Sequence, residues 1–389
     1  MTMKPAYFLF TLLIFTHLAR AESQGMLLVD NPARPAAKSE AVAIFGAIVE
    51  ANDMVPVGRF DDDLWPSDYR TRAGDNLAVG NLRVAIETSR GDWTIGYFYR
   101  QDWLLRASRD SVDARYLDKS EQLTSLSRNF DLDYSIRGFA ADGLRLALSR
   151  EMSNQVAGKF RWGVAASLLR GQDVRLEQAK GSLVSQSGSG ALLGNRQLIN
   201  THLQAVAASS SFSAFTPAQV LNVSDGWGYA LDLGLSWDFQ NGASLALAVN
   251  DLFGRIKWDR VPFIEQNING QFVGNTFSSG ANAIVSGVNR YDALSFELDP
   301  KLRVEAAYPY RGFNLRASVD AVEGYWFPQL GASYRVAGEW QLGIEYETRF
   351  GSAELRLRHP NYYFALRTQD LSLNDSRVLG LSMGLNYSF

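Results

Sequence analysis

Leu379-Gly-Leu-Ser-Met-Gly-Leu-Asn-Tyr-Ser-Phe389 ends the sequence and decides its fold class. Every odd position in this stretch is apolar or aromatic, and every even position is small or polar. A two-residue period is that of a β-strand with one apolar face and one polar face. One such strand is weak evidence, but the same pattern recurs along most of the chain.

The clearest internal example is 227–239, where the odd positions carry aromatic rings at both ends and leucines between them. Rings at both ends are typical of a strand that crosses a membrane and meets two interfaces. In 243–258 the alternation slips phase near Asn250-Asp251, which predicts a β-bulge. Further strands are predicted over 76–89, 92–104, 128–140, 143–152, 159–177, 299–309, 312–322, 326–336, 340–350, 352–358 and 361–368.

These strands predict an all-β fold, a transmembrane antiparallel β-barrel of about 14 strands (12–16) over residues 76–389. Several short connections between these strands carry Gly with Asp, Asn, Arg or Ser, which predicts tight hairpins there. The predicted turns are Arg90-Gly91-Asp92, Ala141-Asp142-Gly143, Gln240-Asn241-Gly242, Tyr310-Arg311-Gly312 and Phe350-Gly351-Ser352. The Arg-Gly-Asp tripeptide is interpreted as ordinary turn material rather than as an adhesion motif.

Two long connections, at about 178–225 and 261–297, are expected on the outside, because outer-membrane barrels carry their long loops there. With the predicted hairpins, 105–127 becomes a long turn on the periplasmic side, which does not fit the same rule. The sequence leaves two explanations open. Either a strand is missed there, or 201–211 is also embedded in the membrane.

The amino terminus predicts a secretory signal peptide over 1–21. Lys4 supplies the positive charge, 7–15 is an apolar stretch too short to span a bilayer, and Ala19-Arg20-Ala21 has the small-x-small cleavage pattern. Residues 22–75 lack clear alternation. They are predicted to form a plug in the lumen, a periplasmic segment or a first strand. No later stretch holds about 20 continuous apolar residues, so no membrane-spanning helix is expected.

Composition argues against several function classes. The chain has no cysteine, which excludes a lipoprotein attachment site, disulfides and thiolate metal sites. A net charge of −3 with mixed signs gives no reason to invoke nucleic acid. Beyond the signal peptide only His202 and His359 remain, so no enzyme activity, catalytic residue, metal or cofactor is predicted. A pairing of His202 with nearby serines (Ser209, Ser210 and Ser211) stays open as the hydrolase alternative.

Charged side chains on the polar strand faces are expected to point into the lumen. Both signs occur, so they can pair across neighbouring strands. An interior held together by ion pairs is favoured over an ion-selective path, which would need an excess of one sign at a constriction. The candidate ligand-binding or lumen-lining residues are Asn31, Pro32, Ala33, Arg137, Asp232, Glu345, Glu347, Arg349 and Arg356.

Three features resemble a known family. Leu28-Val-Asp-Asn-Pro-Ala33 resembles the Asn-Pro-Ala element of the long-chain fatty acid transporter superfamily. The pair Tyr229-Ala-Leu-Asp-Leu-Gly-Leu235 and Leu245-Ala-Leu-Ala-Val-Asn-Asp-Leu-Phe253, with the hairpins over 302–389, is similar to the conjugal-transfer TraF-type barrels of that superfamily. The aromatic final residue resembles the assembly signal of Gram-negative outer-membrane β-barrels.

The resemblance implies an outer-membrane barrel whose amino-terminal segment is tucked inward. Its role would be the passage of small hydrophobic solutes or, alternatively, a non-conducting accessory part in conjugal transfer or secretion. The expected partners are outer-membrane lipids, a small hydrophobic molecule, and the barrel-assembly machinery, which would recognise the strand ending at Phe389. Loop phenylalanines could form an apolar entrance: Phe212, Phe215, Phe263, Phe272 and Phe277.

Overall fold

The structure is a computed structural model that describes residues 25–33, 37–60, 62, 65, 69–120, 127–154, 158–186, 198–209, 225–273, 281–372 and 374–388. The strands are β1 Ala37–Asn52, β2 Asp75–Gly91, β3 Trp93–Ser108, β4 Arg128–Asn154, β5 Gly158–Gln186, β6 Leu198–Ser209, β7 Gly226–Asp238, β8 Ser244–Val273, β9 Ala281–Glu297, β10 Lys301–Tyr310, β11 Phe313–Val322, β12 Tyr325–Ala337, β13 Trp340–Glu347, β14 Ser352–His359, β15 Tyr362–Thr368 and β16 Val378–Ser388. A 3-10 turn, Val57–Arg59, and one helix, α1 Arg109–Lys119, accompany them. Within the described ranges, no helix is long and apolar enough to cross a membrane.

Fourteen of the strands close into an antiparallel barrel, in the order β1-β2-β3-β4-β5-β7-β8-β10-β11-β12-β13-β14-β15-β16. The last strand pairs with the first, so that Ala51 lies opposite Val378. The other two strands extend the wall: β6 pairs with the distal parts of β5 and β8, and β9 pairs with the distal part of β8. The predicted all-β barrel of about 14 strands is therefore confirmed.

The long strands β4 and β5 correct one predicted turn. Asp142 does not lie in a hairpin but inside β4, directly opposite Arg170 of β5, with a bulge between Ala140 and Ala141. Its carboxylate accepts hydrogen bonds from three side chains, those of Tyr97 at 3.1 Å, Arg170 at 3.0 Å and Gln172 at 2.5 Å. These contacts override the local turn preference of Asp-Gly.

Because residues 141–143 are not a turn, the strands before them run in the opposite direction to the one predicted. The connection at 109–127, with α1, then lies at the same end of the barrel as the two long connections, and the long periplasmic turn disappears. Neither explanation for it holds. No strand was missed at 105–127 in the described residues, and β6 pairs with β5 over 175–186, beyond the part that closes the barrel.

The other predicted turns and the bulge are confirmed. Arg311 and Gly312 both have positive φ, 48° and 85°, as a two-residue hairpin of type I′ requires. The bulge in β8 places Asp251 and Phe253 at φ 63° and 53° and shifts the register of β7 against β8. As a result Asp251 is buried, whereas Phe253 is 77% exposed.

The amino-terminal segment takes three positions rather than one. Residues 25–33 lie inside the lumen, 37–52 form the wall strand β1, and part of 53–74 packs outside the barrel with α1, against Ala78, Leu105 and Ile136. The division that began the barrel at residue 76 is therefore corrected: the wall begins with β1. The predicted signal peptide, 1–21, lies outside the described residues.

Outward-facing side chains form an apolar band between two aromatic girdles. One girdle lies near the long connections and includes Trp227, Trp326 and Tyr346, which are 52–58% exposed. The second lies near the short turns, which we call the short-turn end. It contains Trp93, Trp237, Tyr310, Phe313, Tyr334 and Trp340. An apolar band with a girdle at each edge is the surface of a barrel that spans a membrane.

Candidate functional site in the plugged lumen

Residues 25–33, which we call the plug, cross the lumen and are almost fully buried. The backbone N–H of Met26 donates to Asp320 Oδ2 at 2.6 Å, and Lys301 Nζ donates to the carbonyl of Leu27 at 3.4 Å. Asp30 and Asn250 exchange two hydrogen bonds of 2.7 and 2.8 Å. Since buried backbone groups need partners, these side chains hold the plug in one conformation.

The predicted Asn-Pro-Ala element is the carboxyl-terminal part of the plug. Asn31 Nδ2 donates to the carbonyl of Leu235 at 3.1 Å, and its Oδ1 accepts from the N–H of Ala33 at 2.9 Å. Ser236 Oγ donates to the carbonyl of Ala33 at 3.2 Å. The element therefore binds the inner face of β7.

Two glycines allow this close approach. A Cβ atom on Gly234 would lie 2.0 Å from Asn31 Oδ1, and one on Gly163 would lie 2.3 Å from the carbonyl oxygen of Pro32. Any other residue would displace the element, because both distances are far below van der Waals contact. The plug can thus lie directly against β5 and β7, because the two glycines on their inner face have no side chain.

A buried charge cluster holds the middle of the plug. Arg145 lies 2.8 Å from Asp30, 3.3 Å from Asp232 and 3.5 Å from Glu87. The Arg145 side chain is only 3% exposed, so these carboxylates must compensate its buried positive charge. Arg83 joins the cluster with its guanidinium about equally far, 5.4 and 5.5 Å, from the rings of Phe45 and Phe98. Asp232 was predicted as a lumen residue, and the structure gives it the role of an anchor.

Four further ion pairs form three bridges between parts of the wall that are four or five strands apart around the barrel, and so span the lumen. Arg100 contacts Asp251 at 2.7 Å, and Lys301 contacts Asp102 at 2.8 Å. Arg137, another predicted site residue, contacts both Asp299 and Glu323 near the long connections. These bridges draw β3 and β4 toward β8, β10 and the turn after β11.

A small cleft of ≈ 40 Å³ lies between the plug and the Arg137 bridge. Three cations and three carboxylates line it, and these are the partners of the bridges just described, so its charges balance. Its other contacts are mainly apolar. They are Leu27, Val79, Trp103, Leu104, Phe139, Phe296, Leu298 and Val322.

The apolar side of the lumen, which we call the apolar wall, continues past the plug on β1–β5 and β7–β9. Phe139 and Phe296 meet at 5.7 Å between ring centres, and Trp258 stands edge-on to Phe296 at 6.5 Å. Its buried members form one connected cluster. They include Phe45, Ala85, Phe98, Phe139, Ala141, Leu169, Ala230, Ile256, Trp258 and Phe296.

The opposite side, on β10–β15, is a network of ion pairs, which we call the charged wall. The predicted residues Glu345 and Arg356 contact each other at 2.6 Å, and Arg367 contacts Glu354 at 2.7 Å. Four arginines face four carboxylates, so no sign is in excess, as the sequence predicted. The members are Arg303, Arg316, Arg356, Arg367, Glu305, Asp320, Glu345 and Glu354.

Glu347 and Arg349 lie apart from both the plug and the cleft. Glu347 accepts from the N–H groups of Arg349 and Phe350 at 2.6 and 2.9 Å, which shapes the turn after β13. The Arg349 guanidinium reaches Asp53 at 2.9 Å and ties that turn to the connection after β1. These two predicted site residues therefore hold the rim of the barrel.

The turn after β11 carries a carboxyl group that titrates near neutrality. Burial, followed by the neighbouring charge of Asp299 and a hydrogen bond to it, raises the pKa of Glu323 to about 7, while Arg137 opposes the shift. Glu323 also has a positive φ of 49°. One side of the Arg137 bridge is thus sensitive to pH.

Sequence reasoning missed several bridge residues. Arg100 and Asp102 share the inward face of β3 with Phe98, so strict alternation could have assigned them. Asp251 offered no such signal, because the bulge changes the face on which it lies. Of the loop phenylalanines, Phe263 packs with Arg290 4.4 Å from its ring centre. The side chains of the other four lie outside the described part.

The histidines of the hydrolase alternative are far apart in the sheet. His359 is at the short-turn end, in ring contact with Trp340 and Tyr362. His202 is in β6, and its side chain is outside the described part, as are those of the nearby serines. In the portion of the chain that the structure describes, no three His, Asp or Glu side chains gather as a metal site.

The fold and its lumen define a transmembrane β-barrel with an internal plug. The chain belongs to the family described as "Family of unknown function (DUF5723)", which matches residues 59–355. Among curated proteins, none matches this chain.

Several solved barrels cover most of this chain at low identity. The TodX deltaS2S3 mutant monoaromatic hydrocarbon channel is 12% identical, with 92% of each chain covered and a TM-score of 0.46. The Pseudomonas putida toluene transporter TodX is 11% identical, with 92% of this chain and 90% of that chain covered and a TM-score of 0.42. A Pseudomonas aeruginosa FadL homologue is 11% identical, covers 90% and 91%, and has a TM-score of 0.27. None of them is similar enough to assign a substrate.

Proposed function

We propose that this chain is a transport barrel of the Gram-negative outer membrane, passing small hydrophobic solutes, with the plug as a displaceable barrier. One observation carries the proposal: the plug is not part of the wall, and it lies beside an apolar wall that continues from it toward the long connections. For a solute to pass from the cleft through the barrel, only the plug would have to move. The balanced charges of the cleft favour an uncharged solute.

The exposed apolar band and its girdles support a membrane location, and the predicted signal peptide supports export. Short turns of such barrels face the periplasm, which would place the cleft toward the outside. The pairing of β16 with β1 supports a role for the final strand in assembly. Outer-membrane lipids and the assembly machinery would then be partners.

Solute flux through liposomes containing the purified chain tests the proposal. Because β1 begins at Ala37, deletion of 25–33 removes the plug and leaves the wall whole, whereas deletion of 22–75 would remove a wall strand. We expect the 25–33 deletion to increase flux of small uncharged apolar solutes at least tenfold.

A crosslink is the matched control. The natural chain has no cysteine, so Ala33→Cys with Ser236→Cys can be joined by a short thiol-reactive crosslinker between residues whose backbone and side chain meet at 3.2 Å. The crosslinked barrel should lose flux, and a cleavable linker should restore it on cleavage. Absence of flux in every form would contradict transport. It would favour the alternative, a TraF-type accessory barrel in conjugal transfer or secretion.

A further inference from the structure

The lipid-facing surface of the barrel has a shallow, open groove on β8, β10, β11 and β12 at the short-turn end. Its volume is ≈ 610 Å³. The groove lies on the opposite face of the wall from the plug, so solute passage does not use it. It needs its own explanation.

One row of side chains across four strands produces the groove. Leu245, Ala306, Ala317 and Leu330 lie directly opposite one another in adjacent strands. The two leucines are 44% and 60% exposed and stand as ridges, and the two alanines form the floor between them. Ridge to ridge is three strand spacings, roughly 14 Å, wide enough for two hydrocarbon chains side by side.

Aromatic residues bound the groove toward the short-turn end. Trp237 and Phe239 stack at 4.9 Å on one side, and Phe313 and Tyr334 pack at 5.1 Å on the other. Such rings lie at the level of lipid headgroups. The groove therefore extends from this interface into the hydrocarbon layer.

A cation stands at the headgroup end. Arg311 occupies the turn between β10 and β11, beyond the groove-lining residues Tyr308 and Leu315. Its guanidinium lies 5.2 Å from the ring of Tyr310, and among the described residues it has no carboxylate partner. A phosphate group would supply the missing charge.

We infer that this groove binds a phospholipid, with its acyl chains on the alanine floor and its phosphate at Arg311. The inference rests on the membrane location in the proposed function, not on transport. Short turns face the periplasm, so the occupant comes from the periplasmic leaflet, where phospholipids lie. A second copy of the chain fits less well, since a two-fold interface would set groove against groove and leave both unfilled.

Native mass spectrometry of the full chain, stripped of lipid in mild detergent and titrated with phosphatidylglycerol, tests the inference. Ala317→Phe fills the floor and should weaken binding of the first lipid at least tenfold. Arg311→Asn keeps a residue that tolerates positive φ and should weaken it about threefold to tenfold. The control Ala166→Phe adds the same ring to an outward position of β5 and should bind like the natural chain. Resistance of the folded barrel to unfolding in SDS verifies each variant.

Three results would overturn the inference. Unchanged affinity of the folded Ala317→Phe variant would show that the groove is not the site. An equal loss in Ala166→Phe would show that the lipid is only part of the general annulus. A dimer of the natural chain that Ala317→Phe dissociates would assign the groove to a second copy.

Discussion

The two sides of the lumen differ in what holds them and in what they can do. The charged wall pairs four arginines with four carboxylates across β10–β15, and each pair requires a fixed geometry. The apolar wall is built from rings and small side chains that need no particular partner. One side of the lumen is therefore a rigid frame, and the other is the apolar surface along which, under the proposed function, a solute would pass. The plug contacts both: Met26 binds Asp320 of the charged wall, and Asn31 lies on β7.

The largest effect should come from breaking one partner of the charged wall. Arg367→Met leaves Glu354 and Glu345, both almost fully buried, without one of their cations, and should lower the free energy of unfolding by about 3–5 kcal/mol. Urea unfolding in detergent measures the loss. The double variant Arg367→Met with Glu354→Leu should recover most of it. If the single and double variants are equally unstable, the ion pair is not the cause.

A smaller effect is expected where the plug meets its anchor. Asp30→Asn removes one of three carboxylates around Arg145 and should destabilise the seated plug by about 1–3 kcal/mol. In an Ala33→Cys background, the rate of thiol labelling should rise about tenfold with little change in global unfolding. The control Asp92→Asn removes an exposed partner of Arg150. Equal labelling rates in both variants would show that Asp30 does not anchor the plug.

The fit of the plug on the glycines can be tested by adding one methyl group. Gly234→Ala would place Cβ 2.0 Å from Asn31 Oδ1 and should displace the plug at a cost of about 1–3 kcal/mol. In the matched control, Gly46→Ala, the nearest atom to the new Cβ would be a methyl of Val84, at 3.9 Å. We expect increased flux in the first variant and natural flux in the second. Natural flux in both would mean that the plug does not limit passage.

The smallest effect should be a pH dependence at the rim. The folded-state pKa of Glu323, about 7, lies above its ordinary 4.5, so between these values the folded chain binds more protons than the unfolded chain. The contribution of Glu323 to the free energy of unfolding therefore falls as pH rises from about 4.5 to 7. Above that range this contribution stays constant. The urea midpoint should be higher at pH 5 than at pH 8, and Glu323→Gln should reduce the difference. An unchanged difference in that variant would assign it to other groups.

Alternation was sufficient to predict the barrel because each strand meets lipid on one face and the lumen on the other. It failed at β1, where Ile44 and Ile48 face lipid while Phe45, Ala47 and Val49 face an interior that is itself apolar. A strand apolar on both faces has no two-residue period. The plug packs on the inner face of β1 and makes that face apolar, which is one reason why the sequence pattern does not reveal this strand.

The other failures have non-local causes. Asp142-Gly143 has the composition of a turn, and only Tyr97, Arg170 and Gln172 keep it within a strand. The bridge from Arg100 to Asp251 joins residues 151 positions apart, so no local window contains both. Asp232 and Glu345 could be assigned to the lumen from their faces, but their partners depend on how the strands close.

Pairing of β1 with β16 has a consequence for how the molecule is made. The cylinder stays an open sheet with two unsatisfied edges until the final eleven-residue strand is available, since only that strand supplies the partner of β1. The plug precedes β1 in the chain and is synthesised before the described strands. The plug is therefore enclosed when β16 pairs with β1, and a chain truncated before residue 378 would expose both edges to aggregation.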